Sequence, residues 1–373
     1  MKPGSRRLLR FAAAGAGATA AAVTAGLVVE RRVVRTRRAS ATDADRLGGL
    51  HADPVEVLTD DGVALHAEVD EVAPYDGEPP KPRLFARRKQ QPDPEPATLV
   101  FVHGYALNLD CWHFQRAYFR GKRRMVFYDQ RSHGESGRSD NHHATIDQLG
   151  RDLKTVLDRL APDGPVVLVG HSMGGMSIIA LAEQHPELFG DKVTGVALIS
   201  TTAGGLKTHR ILSPLLPGAL AGQVTPRLMA GLARAPELVD SARRRGSNIG
   251  FLFTDRLAFG DEVPGSYVEF VDDMLSQTSF EVLAQFFPNF DVLDKFAVLA
   301  AFEKVPTLIL CGTKDLLTSV GHSRKMASRL PGATLVEAPG AGHMVILERK
   351  DQVNEALDGL LDQADERDAV RAS

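Results

Sequence analysis

The chain has 373 residues, a net charge of -3 and 43% hydrophobic residues. This length and composition suffice for one catalytic domain of about 250 to 300 residues with a large buried core. The nearly balanced charge gives no reason to expect a nucleic-acid partner. The sequence has no Cys-x-x-Cys motif and no His-rich cluster, so it gives no reason to expect a bound metal. The sequence predicts that Cys111 and Cys311 are buried thiols, although a disulfide between them stays open.

Residues 1–41 form a basic and apolar N-terminal segment. Residues 11–29 carry no charge and follow four basic residues, a pattern that predicts a single membrane-spanning anchor near the lower length limit. Residues 5–10 also resemble a twin-arginine export signal. A signal peptide cleaved after residue 41 is disfavoured by the five arginines between positions 31 and 38. We favour the uncleaved anchor, and therefore a membrane-associated protein, over export; the side of the membrane stays open.

Residues 42–202 predict the first part of a catalytic core. Residues 55–72 predict two strands around a turn at residues 60–62, at the antiparallel edge of a sheet. Residues 73–97 are rich in Pro, Arg and Lys and predict a solvated insertion. Strands and helices then alternate, which favours a mostly parallel sheet covered by helices on both faces.

A short loop follows the first central strand, at residues 98–102. It begins with His103, Gly104 and Tyr105 and leads into a helix. Backbone N–H groups near a helix start can stabilise the oxyanion that develops in acyl transfer, and we assign the N–H of Tyr105 to this role. The alternative is a plain turn, which the glycine alone would also favour.

The most informative segment lies between residues 166 and 184, where an apolar strand runs through a tight turn into a helix. The turn consists of Gly170, His171, Ser172, Met173 and Gly174. Ser172 is the predicted nucleophile, because the glycines on either side of it have no Cβ to clash in a strained turn. The N–H of Met173 is the second predicted oxyanion donor, and His171 is predicted to pack within the turn.

A serine hydroxyl needs a base and an oriented acid before it can attack a carbonyl. Apolar strand 307–312 leads to Asp315, which places a carboxylate at the edge of the sheet. Strand 334–337 leads to a glycine-rich loop that carries His343. We therefore predict Asp315 as the acid and His343 as the base, in the chain order serine, acid, histidine.

Other residues compete for these roles. His133, in the loop 129–136, is predicted to belong to a local hydrogen-bond network, since the base should follow the acid in the chain. Strand 193–199 ends in hydroxyl residues at 200–202 and offers no carboxylate, which favours Asp315. His142, His143 and His185 are predicted at the surface.

Residues 203–303 break the alternation and predict a helical cap. Its dense apolar residues, Phe286, Phe287 and Phe290 among them, mostly pack the cap against the core, and the remainder line an apolar acyl pocket. Such a cap restricts access and excludes water, which favours a small or medium hydrophobic substrate. Residues 304–362 predict the second part of the core, and residues 363–373 a disordered tail.

These motifs together resemble the α/β-hydrolase family, in its esterase, lipase and haloperoxidase-like group, over about residues 54–360. The matching positions are the 103–105 loop with Trp112 after it, the Asp-x-x-x-His-Gly-x-Ser loop at 129–136, the turn at 170–175, Asp315 and His343. The turn and the 129–136 loop are similar to those of monoacylglycerol lipases and bacterial carboxylesterases.

Some features depart from other members of that group. Epoxide hydrolases and haloalkane dehalogenases have Asp where this chain has Ser172, and proline iminopeptidases usually have Trp where it has Met173. The long cap departs from lipase patterns.

The resemblance implies an α/β-hydrolase fold with a helical cap and a serine hydrolase that needs no cofactor. The predicted substrate is a small or medium hydrophobic carboxylic ester. Two alternatives stay open: a cofactor-free haloperoxidase or a peptidase on the same three residues, and a membrane-tethered module that binds a ligand without turnover. The oligomeric state also stays open.

Overall fold

The computed structural model describes residues 47–72, 96–207 and 254–372, which form an eight-stranded sheet with helices on both faces. The strands are β1 (Pro54–Leu58), β2 (Ala64–Asp70), β3 (Thr98–Val102), β4 (Met125–Tyr128), β5 (Val166–His171), β6 (Val193–Ile199), β7 (Thr307–Gly312) and β8 (Thr334–Ala338). Their order across the sheet is β1, β2, β4, β3, β5, β6, β7, β8. β2 pairs antiparallel with β1 and β4, and the other neighbouring strands are parallel. The predicted antiparallel edge is confirmed.

The central strands are apolar along their whole length because both of their faces are covered. In β3 and β5, Phe101 and Val169 enter one core layer, whereas Val100 and Leu168 enter the other. Each of these four side chains is fully buried. The predicted site residues follow the carboxyl ends of the parallel strands, which lie between these two layers.

Helices cover both layers. They are α1 (His113–Phe119), α2 (Ile146–Leu160), α3 (Met173–Gln184), α4 (Gly265–Gln277), α5 (Phe280–Val292), α6 (Val320–Arg329), α7 (Val345–Glu348) and α8 (Lys350–Ala372), with 3₁₀ turns at Leu109–Trp112, Pro186–Leu188 and Phe296–Lys304. α1 and α8 pack on one face of the sheet, and α2, α3 and α6 on the other. α2 and α3 pack closely, since a Cβ on Gly150 would lie 2.9 Å from the Ala180 Cβ. The predicted α/β fold with helices on both faces is confirmed.

Of the predicted cap, residues 203–207 and 254–303 are described. Their regular structure consists of α4, α5 and the 3₁₀ turn that begins at Phe296, with residues 254–258 also helical. Val282, Phe286 and Phe290 of α5 pack against residues of α2 and α3 in a third apolar cluster. This packing agrees with the role predicted for most apolar residues of the cap.

The disordered tail predicted at residues 363–373 is wrong, because α8 continues to Ala372. Leu360, Leu361 and Ala364 are buried in the core layer under α8, and their spacing is that of one helical face. Beyond them, Arg123 and Asp365 form an ion pair of 2.7 Å. The many charged residues after position 361 concealed this apolar face in the sequence.

Several sequence predictions lie outside the described residues: the N-terminal segment at 1–41, most of the insertion at 73–97, and cap residues 208–253. Within the described ranges, no helix combines the length and hydrophobicity that a bilayer crossing requires. The two cysteines are buried and free, as predicted.

Candidate active site

Ser172 occupies the turn between β5 and α3 in a strained backbone conformation, with φ 52° and ψ -117°. Glycines make this turn possible. A Cβ on Gly174 would lie 2.0 Å from the Val102 carbonyl oxygen, and one on Gly170 would lie 2.6 Å from the Gly175 nitrogen. No side chain fits at these distances, so the predicted steric requirement for glycine is confirmed at both positions.

The main chain of Ser172 is tied to the next strand of the sheet. Its N–H donates to the Ile199 carbonyl at 2.9 Å, and the Thr201 hydroxyl donates to its carbonyl at 2.6 Å. In the sequence, Thr201 is only one of the hydroxyl residues that follow β6, where no carboxylate occurs. In the structure, its hydrogen bond ties the turn to the end of β6, and the side chain of Ser172 lines a cavity.

Asp315 and His343 come together from two different loops. The Nδ1 of His343 donates to Oδ2 of Asp315 at 2.9 Å, and both side chains are buried. Backbone N–H groups of Leu317 and Thr318 donate to the other carboxylate oxygen at 2.8 and 2.9 Å. Burial acts to raise the pKa of Asp315, but the charge and hydrogen bond of His343 and the bonds from Thr318 hold that pKa below its usual value.

This arrangement fixes the tautomer of His343. Because a carboxylate oxygen can only accept, Nδ1 carries the hydrogen and Nε2 of the neutral ring carries a lone pair. Ser172 and His343 line the same cavity. His343 can therefore present a proton acceptor, its Nε2, to that cavity. The carboxylate of Asp315 stabilises the ring of His343 when the ring becomes charged.

Thr318 is a site residue that sequence reasoning missed. Its hydroxyl oxygen lies 2.7 Å from the Ser200 carbonyl, 2.9 Å from Oδ2 of Asp315 and 3.3 Å from Nδ1 of His343. The hydroxyl thus links the end of β6 to Asp315 and His343. The only signal in the sequence is a threonine three residues after an aspartate at a loop, a common turn pattern.

His171 connects the turn that carries Ser172 to the loop that carries His343. Its Nε2 donates to the His343 carbonyl at 2.9 Å. Burial, with a smaller contribution from the charge of His343, lowers the pKa of His171 to about 3, so the ring is neutral. Its Nδ1 is buried without a hydrogen-bond partner and faces Gly104. His171 therefore adds a specific hydrogen bond to the packing role predicted for it.

The two segments that carry the predicted oxyanion donors lie next to Ser172. Met173 is the first residue of α3, where helix geometry leaves backbone N–H groups unpaired within the helix. On the other side, a Cβ on Gly104 would lie 3.2 Å from the Ser172 Cβ, so the 103–105 loop lies directly against the serine. The Tyr105 hydroxyl donates to the Leu283 carbonyl of α5 at 2.6 Å, which joins this loop to the cap.

A buried network holds the 103–105 loop in place. His103 donates from Nδ1 to the Gly104 carbonyl at 2.7 Å, and its Nε2 accepts from the Gln130 N–H at 2.9 Å. The Gln130 side chain donates to the His103 carbonyl and accepts from the Ser177 hydroxyl, each at 2.7 Å. Gln130 thus joins the 103–105 loop to α3, although the 129–136 motif leaves its position unspecified.

The 129–136 loop supports this network. Asp129 accepts from the backbone N–H groups of Leu109 and Glu135, both at 2.8 Å, and burial raises its pKa to about 6. His133 donates from Nδ1 to the Arg131 carbonyl at 2.9 Å. Burial lowers the pKa of His133 to about 4. This placement agrees with the local network predicted for the loop.

The cavity in front of Ser172 has a volume of about 500 Å³ and a mostly apolar wall. The apolar side chains come from the core and the cap: Leu107, Met176, Leu206, Leu257, Val271, Leu275, Leu283, Phe287, Phe290, Leu317 and Met344. A polar group, in which the Thr254 hydroxyl donates to Asp272 at 3.0 Å, also reaches the wall. Among the described residues, no three His, Cys, Asp or Glu side chains are arranged to hold a metal ion.

Comparison with known proteins agrees with this fold. The family model for the alpha/beta hydrolase fold matches residues 97–350, more than half of the chain. The chain therefore belongs to the alpha/beta hydrolase fold family.

Its relatives carry different names. A 3-oxoadipate enol-lactonase from Acinetobacter baylyi is 27% identical over 70% of this chain and 88% of its own length. The acetyltransferase component of an acetoin cleaving system from Pseudomonas putida is 27% identical over 69% of this chain, and the match spans 62% of that protein. An esterase structure from Thermogutta terrifontis has a TM-score of 0.59 at 20% identity, covering 84% of this chain and 99% of the esterase.

Proposed function

We propose that this protein is a serine hydrolase that cleaves a small or medium hydrophobic carboxylic ester through an acyl-enzyme. One observation carries the proposal: a buried bond of 2.9 Å between His343 and Asp315 stands at the same cavity as a serine on a strained, glycine-flanked turn. A histidine oriented in this way is what a serine hydroxyl needs to become a nucleophile.

In the proposed reaction, Nε2 of His343 takes the proton of Ser172 as the hydroxyl oxygen bonds to the ester carbonyl carbon. The N–H groups of Met173 and Tyr105 stabilise the resulting oxyanion. The intermediate then collapses, the carbon–oxygen bond to the alcohol breaks, and His343 returns its proton to the departing alcohol. A water molecule, activated by the same histidine, repeats these steps on the acyl-enzyme and releases the acid.

The shape and chemistry of the cavity support the substrate class. Its volume of about 500 Å³ lies in the range of small-molecule pockets, and its wall is mostly apolar. The cap residues Leu283 and Phe290 form part of that wall, which limits the length of the acyl chain that fits. Because one relative is named a lactonase, cyclic esters belong among the candidate substrates.

The direct test is hydrolysis of p-nitrophenyl esters from acetate to palmitate, together with a lactone series, by the full-length protein. We expect a maximum at a short or medium acyl chain and loss of turnover by a factor of about 10⁴ or more in Ser172→Ala. His343→Ala should behave in the same way. Unchanged hydrolysis in Ser172→Ala would disprove the assignment, and no turnover by folded wild-type protein would favour a ligand-binding module.

A cofactor-free haloperoxidase or a peptidase would use the same three residues. Assays for halide oxidation with peroxide and for release of amino acids from peptides, run beside the ester series, separate these activities. We expect ester hydrolysis to exceed both, because the apolar wall offers little to a charged peptide terminus.

We also propose that residues 11–29 anchor the protein to a membrane. The uncharged length and the basic residues on both sides support this proposal. Fractionation of cells that produce the full chain, compared with a chain lacking residues 1–41, tests it. The full chain should sediment with membranes and resist extraction by salt; equal partition of the two proteins would contradict the proposal.

A further inference from the structure

The loop that carries His343 packs main chain against main chain on a segment at the base of the cap. A Cβ on Gly260 would lie 2.3 Å from the Gly340 carbonyl oxygen, and one on Gly342 would lie 2.5 Å from the Gly260 nitrogen. The Met344 N–H donates to the Ala258 carbonyl at 2.8 Å. Cap segment 258–261 and loop 340–344 are therefore in direct backbone contact on both sides of the predicted base.

One carboxylate bridges the two segments. Oε1 of Glu348 accepts from the Gly342 N–H at 2.6 Å, while Oε2 accepts from the N–H groups of Gly260 at 3.0 Å and Asp261 at 3.4 Å. Glu348 is partly buried, and burial raises its pKa although these three backbone bonds oppose that rise. The side chain thus satisfies buried donors on the loop and on the cap at once.

A second, more exposed contact lies outside this bridge. Asp261 pairs with Lys314 at 2.7 Å and with Arg349 at 2.6 Å. Lys314 precedes Asp315, and its own N–H donates to the Ala341 carbonyl at 2.9 Å. Exposed ion pairs contribute little free energy, so the Glu348 bridge is the stronger of the two links.

We propose that Glu348 is a positioning residue for His343, which it holds in place by locking loop 340–344 onto cap segment 258–261. Of the main-chain groups next to His343, the Gly342 N–H is bound by Glu348 and the Met344 N–H by the cap. If cap segment 258–261 moves, loop 340–344 loses both contacts. The cap therefore does more than cover the substrate, because a seated cap sets the position of the histidine. The inference rests on the proposed hydrolase function.

The test is Glu348→Gln in the full-length protein. The carboxamide keeps the size of the side chain, but its NH₂ group can only donate and must face backbone N–H donors either on the loop or on the cap. The hydrogen bonds to that one segment are therefore lost. We expect kcat to fall about ten- to hundredfold, because small displacements of a reacting group have large effects, while KM changes less than about threefold. The acid limb of the pH profile of kcat/KM should move, since the surroundings of His343 change.

Glu337→Gln is the matched control. Glu337 lies on β8, six positions before His343 in the sequence, and pairs with Arg324 at 2.6 Å on the partly exposed surface. The same substitution there should leave kcat and the pH profile unchanged. If Glu348→Gln fails to fold by circular dichroism, Glu348→Asp keeps the charge with a shorter reach and should show the same changes in smaller measure.

Histidine-selective ¹⁵N NMR gives a readout that does not depend on turnover. The His343 ring signal, assigned by its loss in His343→Gln, should shift in Glu348→Gln and stay in place in Glu337→Gln. If wild-type protein turns over esters but neither this signal nor the pH profile moves in Glu348→Gln, Glu348 has only a structural role and the proposal is wrong. If the signal moves but wild-type protein lacks any turnover, the proposed function fails and the positioning contact stands.

Discussion

Ser172 and His343 meet at one cavity, but they are held there in opposite ways. The serine lies on a turn whose contacts are made within the sheet, by Gly174 against β3 and by a hydrogen bond to Ile199 of β6. The histidine lies on a loop supported by the side chains of Asp315, His171 and Glu348 and by main-chain contacts with cap segment 258–261. The position of Ser172 is thus set by the neighbouring strands of the sheet, whereas that of His343 is assembled from loops and the cap.

The two regions also differ in charge. Around the nucleophile turn, burial keeps three histidines neutral, with the pKa lowered to about 3 for His103 and His171 and to about 4 for His133. Around the base, hydrogen bonds and the charge of His343 hold the pKa of buried Asp315 below its usual value. One region provides neutral packing, and the other provides the negative charge that a protonated histidine needs.

The largest expected effect comes from removing that charge. Asp315→Asn should lower kcat about 10⁴-fold with little change in KM, because the amide neither stabilises a charged His343 nor enforces its tautomer. Steady-state kinetics with the best ester substrate measure this effect.

Asp53→Asn, an exposed position near β1, is the matched control and should retain wild-type kinetics. A loss below tenfold in Asp315→Asn would mean that another group orients His343, and the contrast in charge between the two regions would lose its functional meaning.

On the nucleophile side, Gly174→Ala should break the turn. The added Cβ would lie 2.0 Å from the Val102 carbonyl oxygen, a backbone atom of a central strand that cannot move aside. We expect a loss of about 4 kcal/mol or more in the free energy of unfolding, at the upper end for single substitutions, together with loss of activity.

Gly359→Ala is the control for this substitution. A Cβ added to Gly359 on α8 would meet no atom within 4 Å outside the adjacent backbone of its own helix, and alanine favours a helix by about 1 kcal/mol over glycine. Chemical denaturation of both variants measures the difference. Equal stabilities would show that the turn is held less rigidly than its backbone contacts indicate.

This contrast explains how much the sequence could predict. The helix that ends at Gln184 and the strands Thr98–Val102, Val193–Ile199 and Thr307–Gly312 were predicted within a residue or two, because apolar spacing and turn glycines are local signals. The fold class and the Asp315–His343 pairing followed from the order of such segments along the chain.

The supporting side chains were not predictable in this way. Gln130 bonds to His103, 27 positions away, and Glu348 bonds to Gly260, 88 positions away. Asp315 and His343 could be paired because the order of catalytic residues along the chain is itself a signal, whereas no such order marks Gln130 or Glu348, and propensity and periodicity act over only a few turns of chain. The continuation of α8 to Ala372 was missed for a related reason, because packing on the sheet overrides a polar composition.

The neutral histidines give the nucleophile side its own pH dependence. A histidine with a lowered folded pKa contributes stability that is present above its unfolded value of about 6.5 and is lost as the pH falls, because the unfolded chain binds the extra proton. For His133, with a folded pKa of about 4, the loss should run from about pH 6.5 to 4 at about 1.4 kcal/mol per pH unit.

Replacing this residue should make the free energy of unfolding less dependent on pH over that window. His133→Gln should reduce the slope by close to one proton, whatever its effect on stability at pH 8. Urea denaturation at several pH values measures these slopes. An unchanged slope in His133→Gln would contradict a buried neutral histidine.

The smallest effect should come from a single hydroxyl on the base side. Thr318→Val keeps the shape of the side chain and the backbone N–H bond to Asp315, but removes the oxygen that lies 2.7 Å from Ser200 O and 2.9 Å from the carboxylate. One hydrogen bond to a charged group is worth about 1.5 kcal/mol, so kcat should fall about tenfold. Thr155→Val, on the partly exposed face of α2, should have no effect on kcat. A fall as large as that of Asp315→Asn would mean that Thr318, not only the carboxylate, orients His343, and the base would then depend on β6 as closely as the nucleophile does.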